Sequence, residues 1–103
     1  MPEENILKLK ALNSCEGCNL SGADLSGHDL SKANLYYSKF NRGANLEGAN
    51  LERANLTGVN FTEANLKRAN LSGANLRNAR LDGAIFCKTL LPWGIDDSGC
   101  PNE

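Results

Sequence analysis

Between Cys18 and Lys88 a large apolar residue returns at every fifth position. The series runs Leu20, Leu25, Leu30, Leu35, Phe40, then Leu46, Leu51, Leu56, Phe61, Leu66, Leu71, Leu76, Leu81 and Phe86. Two residues before each stands a small one, Ala in ten of the fourteen cases, with Cys18, His28, Ser38 and Val59 as the exceptions. The remaining positions are mostly polar or glycine, and Asn fills nine of the fourteen sites just ahead of the apolar residue. One interval is six residues, between Phe40 and Leu46, which makes Gly43 the extra residue. A period of five fits neither a 3.6-residue helix nor a two-residue strand. It fits a solenoid, in which short units stack and bury one continuous core.

The units Ala23-Asp24-Leu25, Ala49-Asn50-Leu51, Ala54-Asn55-Leu56, Ala69-Asn70-Leu71 and Ala74-Asn75-Leu76 resemble the pentapeptide-repeat family. The match covers 71 of 103 residues. The ends, Ser14–Gly27 and Ala84–Cys100, are similar to cyanobacterial and plastid-type members. The resemblance implies an all-β fold, a right-handed quadrilateral parallel β-helix with four units to a square coil. Fourteen units then make about three and a half coils. The central residue and the one two before it point inward. The residue types agree with this independently. Ala leaves room where the chain corners, Leu or Phe fills the middle, and Asn, Ser and Gly tolerate tight turns. Coils about 4.8 Å apart give a repeat rod roughly 15 Å long.

Four units to a coil predict the stacking. Leu20, Phe40, Phe61 and Leu81 form one column, and Leu25, Leu46, Leu66 and Phe86 the next. Leu30, Leu51 and Leu71 form the third, and Leu35, Leu56 and Leu76 the fourth. Phe40 and Phe61 are expected to stack beside the slip, and Gly43 to form a bulge.

A solenoid exposes strand edges and core at its two ends unless these are covered. Three segments are therefore expected: 1–17 as an N-terminal cap and lead-in, 18–88 as the β-helix, and 89–103 as a C-terminal cap and tail. Glu3–Leu12 has helix character, with acidic residues at its start and an apolar stripe of Ile6, Leu7, Leu9 and Leu12. Leu90, Leu91 and Trp93 are expected to cover the last coil, Pro92 and Gly94 to make turns, and Asp96–Glu103 to be loop. Net charge is −1, but residues 18–88 carry +3, residues 1–17 carry −1 and residues 89–103 carry −3. No apolar run approaches the roughly 20 residues of a membrane span, so no membrane insertion is expected. Acidic Met1-Pro2-Glu3-Glu4 with no apolar stretch behind it does not read as a signal peptide.

Four cysteines are the main candidate chemistry. Cys15 and Cys18 form a CxxC pair, and Cys87 and Cys100 bracket the tail. The rod separates the two pairs, so pairing within each end is the expected arrangement, as disulfides or as free thiols. A redox centre at Cys15/Cys18 would need a lowered thiol pKa, and a zinc site two further ligands. His28, the one histidine, stands at an inward position and reads as structural. Tyr36 and Tyr37 are expected to point outward as a surface interaction patch. Glu47 and Lys67 are expected to be neighbours on adjacent coils. No paired carboxylates, phosphate loop or nucleophile–base pair stands out, so no enzyme activity, cofactor or metal is expected. The mixed surface charge shows no nucleic-acid track.

The leading functional reading is a non-enzymatic structural or protein-interaction module that presents a rigid surface to an unknown protein partner. The resemblance to lumenal members suggests the thylakoid lumen or periplasm, with the cytoplasm as alternative. Two other readings are a DNA mimic that binds DNA gyrase and a redox or metal role of Cys15/Cys18. The gyrase-binding members are long, acidic dimeric rods, and this chain is short with a basic repeat region. A rod capped at both ends is expected to be monomeric, whereas an incompletely covered end favours end-to-end pairing.

Overall fold

The computed structural model describes residues 2–101. The cap expected from Met1 and the loop expected to Glu103 reach into Met1, Asn102 and Glu103, which lie outside the described residues. The five-residue period becomes four ladders of parallel bridges. They run Asn19–Lys39–Asn60–Arg80, Asp24–Asn45–Asn65–Ile85, Asp29–Asn50–Asn70–Leu90 and Ser14–Asn34–Asn55–Asn75. Rungs lie 20 residues apart, or 21 across Gly43, as between Asp24 and Asn45. Four units thus separate one rung from the next, and the walls form a β-helix solenoid. Each wall contributes bridges rather than long strands, because three of every five residues go into a corner.

The ladders begin at Ser14 and end at Leu90, one unit beyond Cys18–Lys88 at each end. Cys15 and Leu91 occupy central positions and are buried. Thr89 takes the small inward position and is fully buried. Its Oγ1 donates to the Leu66 carbonyl at 2.7 Å, as a buried hydroxyl requires.

Three inter-coil bonds repeat along the walls, one of them from the second residue after the central one, as from Gly48 to the Lys67 carbonyl at 2.8 Å. The central N–H donates to the coil above, as from Leu30 to the Asn50 carbonyl at 2.7 Å and from Leu51 to the Asn70 carbonyl at 2.7 Å. The residue before it donates to the coil below, as from Asn50 to the His28 carbonyl at 2.9 Å. At each corner the next small residue donates back to the central carbonyl, as from Ala23 to Leu20 at 3.1 Å. The corner residue just before that small one has positive φ, the conformation a type II turn demands. Gly22 and Gly48 adopt it, but so do Lys32, Arg53, Glu63 and Arg68, at about 1–2 kcal/mol each.

Central residues from Leu20 to Leu71 are buried with almost no exposure. Phe40 and Phe61 stack with ring centroids 5.4 Å apart and planes 25° off parallel. The slip is a local bulge: Asn41, Arg42 and Gly43 form the turn, and φ is +59° at Arg42 and +73° at Gly43. The closing corner bond is missing at Ala44 alone in the series from Cys18 to Ala84, while Phe40 and Leu46 keep their ladder bonds. The core therefore passes the extra residue without a break.

The N-terminal end is sealed by α1 (Pro2–Leu12). Leu9 is buried and Ile6 packs beside it, and Asn5 Nδ2 donates to the Asn19 carbonyl at 2.9 Å. The expected four-residue stripe is narrower in the structure. Leu7 and Leu12 are exposed. Leu7 lies about 100° round the helix from Ile6. Leu12 lies in the last turn, where the chain reverses through Asn13 (φ +51°) into the first rung. The Asn13 N–H closes the helix on the Leu9 carbonyl at 2.7 Å, a left-handed C-cap.

The C-terminal end differs from expectation. β1 (Thr89–Leu91) pairs antiparallel with β2 (Gly94–Asp96). Pro92 and Trp93 form the two-residue loop between them, so Trp93 sits at a hairpin tip and is 68% exposed rather than folded over the coil. Leu90 takes an outward ladder position and is partly exposed. Of the three expected cover residues only Leu91 is buried. Leu76, Leu81 and Phe86 in the last coil are accordingly only partly buried.

Replacing mid-stack Leu51 by Ala is expected to cost about 2–5 kcal/mol in a urea unfolding curve, and a loss below about 1 kcal/mol would contradict its central place. Deleting Gly43 restores the strict period and lets Ala44 close its corner, so the unfolding midpoint should hold or rise. A collapse on deletion would place the slip elsewhere.

Candidate functional site

The outer wall carries the chain's available chemistry, since the described residues enclose no cavity. At the N-terminal end a disulfide joins Cys15 to Cys18, with Cα atoms 5.4 Å apart. Both residues point inward and are buried, and the bond spans one corner beneath α1, close to the Asn5 carbonyl. At the other end a disulfide joins Cys87 to Cys100, with Cα atoms 4.7 Å apart. It ties the tail to the last coil and is partly exposed. Asp97 lies beside this pair, and its Oδ1 accepts from the Lys88 N–H at 2.8 Å. All four sulfurs are bonded, and a disulfide sulfur presents no thiolate for metal binding or nucleophilic attack.

His28 is half-buried at its inward position, with Nδ1 3.1 Å from the Ser26 carbonyl. Ser38, the other polar intruder in the small-residue column, is fully buried and donates its hydroxyl to the Leu35 carbonyl at 2.7 Å.

The Asn column serves the corners as well as the surface. Asn45 Oδ1 accepts from the Glu47 N–H, and Asn50, Asn60 and Asn65 do the same two residues on, each at 3.0 Å. These are Asx turns, and they hold the one backbone N–H per unit that neither ladder nor corner uses. The sequence places Asn at the tight turns, and the structure adds that its side chain closes them. The spacing of Asn to a turn two residues later was the available signal. Asp24, Asp29 and Asp96 play the same part and also accept a Ser hydroxyl or N–H. The bonds from Ser26, Ser31 and Ser98 hold their carboxyls below the ordinary value.

Tyr36 and Tyr37 both face solvent and are 43% and 50% exposed. Their rings meet edge to face with centroids 4.5 Å apart. The Tyr37 ring lies flat against Gly58 one coil on, where an added Cβ would come within 2.6 Å of it. Only glycine gives the ring that seat. Glu47 and Lys67 stand one rung apart, since the Gly48 N–H donates to the Lys67 carbonyl at 2.8 Å. The Glu47 carboxylate nevertheless turns to Arg68, 4.0 Å away and exposed, a contact worth little.

The family model for pentapeptide repeats matches in eight copies, over residues 14–42, 42–73 and 54–91. Among solved structures, HetL, a pentapeptide repeat protein involved in heterocyst differentiation regulation from the cyanobacterium Nostoc sp. strain PCC 7120, is 33% identical over 79% of this chain, with a TM-score of 0.49. This chain spans 41% of that protein's length. A second Nostoc PCC 7120 pentapeptide repeat protein is 32% identical over 80% of this chain and 72% of its own, with a TM-score of 0.47. One from the Arabidopsis thaliana thylakoid lumen is 29% identical over 71% of this chain and 68% of its own, with a TM-score of 0.21. No curated protein matches the chain.

The three Asp corners predict an acid limb to stability. Their folded carboxyls titrate below the unfolded ones, so the unfolded chain binds more protons and stability rises with pH. Their contribution is present above the unfolded carboxylate value of 3.8 and is lost as pH falls through the lowered folded values. An Asp24→Asn/Asp29→Asn/Asp96→Asn variant keeps the Asx turns without the charge. Its unfolding midpoint should therefore fall less on acidification than that of the parent. Parallel profiles would remove these carboxyls from the acid response.

Proposed function

The chain belongs to the pentapeptide-repeat family, and we propose from that premise that it is a non-enzymatic interaction module. It presents a protein partner with side chains at fixed spacing on a stiff wall. The observation that carries this reading is the Tyr36–Tyr37 pair. Two solvent-facing aromatic rings are held edge to face, with that of Tyr37 seated on Gly58, so much of their ordering cost is met before any partner arrives. Rigid aromatic anchors of this kind dominate protein-binding surfaces.

The right-handed winding that the resemblance implies belongs to the same proposal. With the units at Cys15 and Leu91 the coil number becomes about four rather than three and a half. The two disulfides favour an oxidising compartment, the thylakoid lumen or periplasm over the cytoplasm. No observation favours a gyrase-binding DNA mimic, because the repeat region carries a net positive charge.

The test compares the parent with Tyr36→Ala/Tyr37→Ala, which leaves the buried core untouched, in chemical cross-linking to proteins of the source cell. The expected outcome is a discrete cross-linked partner with the parent, lost in the variant at unchanged circular dichroism. The same partner captured equally by both would take the pair out of the binding surface. Alkylation of native protein without reductant should find no free thiol, and four free thiols would move the chain to a reducing compartment.

A further inference from the structure

The two ends of the solenoid are closed unequally. Beneath α1 the first-coil residues Leu20, Leu25 and Leu30 are buried. At the other end the hairpin and tail cover half the rim. β2 adds a last rung to the wall that ends in Leu90. The tail covers the next wall, where the Gly99 N–H donates to the Phe86 carbonyl at 2.6 Å and Cys100 is tied to Cys87. Among the described residues, the walls that end in Asn75 and Arg80 have no rung above them. Their central residues, Leu76 and Leu81, stay partly exposed.

β2 itself has a free edge. The Leu90 N–H donates down to Ala69 at 3.0 Å, and its carbonyl accepts from Leu71 at 2.7 Å. Leu90 therefore spends both backbone groups on the coil below. Its cross-strand partner Ile95 thus belongs to a non-hydrogen-bonded pair, whose N–H and C=O point away from the neighbouring strand. Among the described residues nothing pairs with β2 on that side. The Ile95 side chain is 71% exposed. The Asp96 carboxylate, the charge that would guard the edge, is turned back to the Ser98 N–H at 2.8 Å.

We infer that β2 pairs antiparallel with β2 of a second copy, joining two molecules tail to tail about a two-fold axis through Ile95. Three observations select this occupant. A head-to-tail fibre needs two open ends, and α1 closes one, so only an isologous contact is left. The three-residue strand is self-complementary about its centre: Ile95 meets Ile95, and Asp96 meets Gly94 rather than a second Asp96. The same rotation exchanges the two walls that flank that of β2, so the uncovered wall ending in Asn75 meets the partner's tail-covered wall ending in Ile85. The end face is bounded by the molecule's shorter extents, 24 and 23 Å. It buries at most about 550 Å² per copy, a total near the ~1,000 Å² threshold of specific interfaces, so the pair is expected to be weak. This inference stands apart from the Tyr36–Tyr37 reading.

The test is sedimentation velocity of the full chain under non-reducing conditions, from micromolar to millimolar protein. The weight-average mass should climb from 11.1 kDa toward twice that value. Ile95→Lys, which sets two like charges on the axis, and Ile95→Pro, which removes an N–H with no partner among the described residues, should each weaken association at least about tenfold. Leu12→Lys at the helical end should not. Ile95→Cys should give a covalent dimer on mild oxidation, because facing Cα atoms in a hydrogen-bonded pair lie about 5.5 Å apart, within disulfide reach. A parent that stays monomeric throughout overturns the inference. So does a dimer that survives both Ile95→Lys and Ile95→Pro, or one lost in Leu12→Lys.

Discussion

Except at Phe40, where Gly43 intervenes, the carbonyl of each central residue from Cys15 to Leu81 accepts the N–H of the residue three places on and so closes a corner. Making it requires a residue with positive φ before the small inward one. It also leaves one N–H per unit for the Asn or Asp side chain to hold, as Asn50 holds Glu52. Once the corner is made, only two residues per unit remain extended. One donates up the stack and the other down, and the positive-φ corner residue donates up as well, as Arg53 does to the Ser72 carbonyl, so each unit joins its neighbours by one bridge and one corner bond. The apolar core follows from this geometry, since the only positions facing inward are the central one and the small one before it.

The same constraint explains what the sequence reveals and what it hides. Leu51 and Phe61 are legible because burial repeats with the corner, and the Phe40–Phe61 stack follows by counting four units. Cys15 and Leu91 keep the five-residue register but stand where the residue types change, so a reading by composition stops short of them. The double duty of the Asn column depends on a side chain bonding its own backbone, which apolar periodicity does not report. The caps are the least legible part. Leu7, Leu12 and Trp93 are apolar, and local pattern offers them as cover. Their exposure is decided by how a short helix and a hairpin dock on a wall distant in sequence.

That docking gives the rod its polarity. One end is a buried surface under α1 with an inward disulfide. The other is a half-covered rim held by an accessible disulfide and finished by a strand with a free edge. Between them lies a wall whose one aromatic feature, Tyr36 and Tyr37, is fixed in place by a glycine from the next coil. Each of these functional candidates sits where the repeat departs from its consensus: at the CxxC corner, at the double tyrosine, and at Ile85 and Leu90, which replace Asn or Asp in their columns.

Residue-resolved amide hydrogen exchange tests the five-residue corner most directly. The N–H groups of Leu46, Leu51, Leu56 and Phe61, bonded to the coil above, should open only with global unfolding. Those of Glu47, Glu52, Thr57 and Thr62, held by a side chain at the surface, should exchange fastest in their units. Protection would then rise and fall with a period of five from end to end. Uniform exchange across these residues, or protection with a helical or two-residue period, would contradict the account.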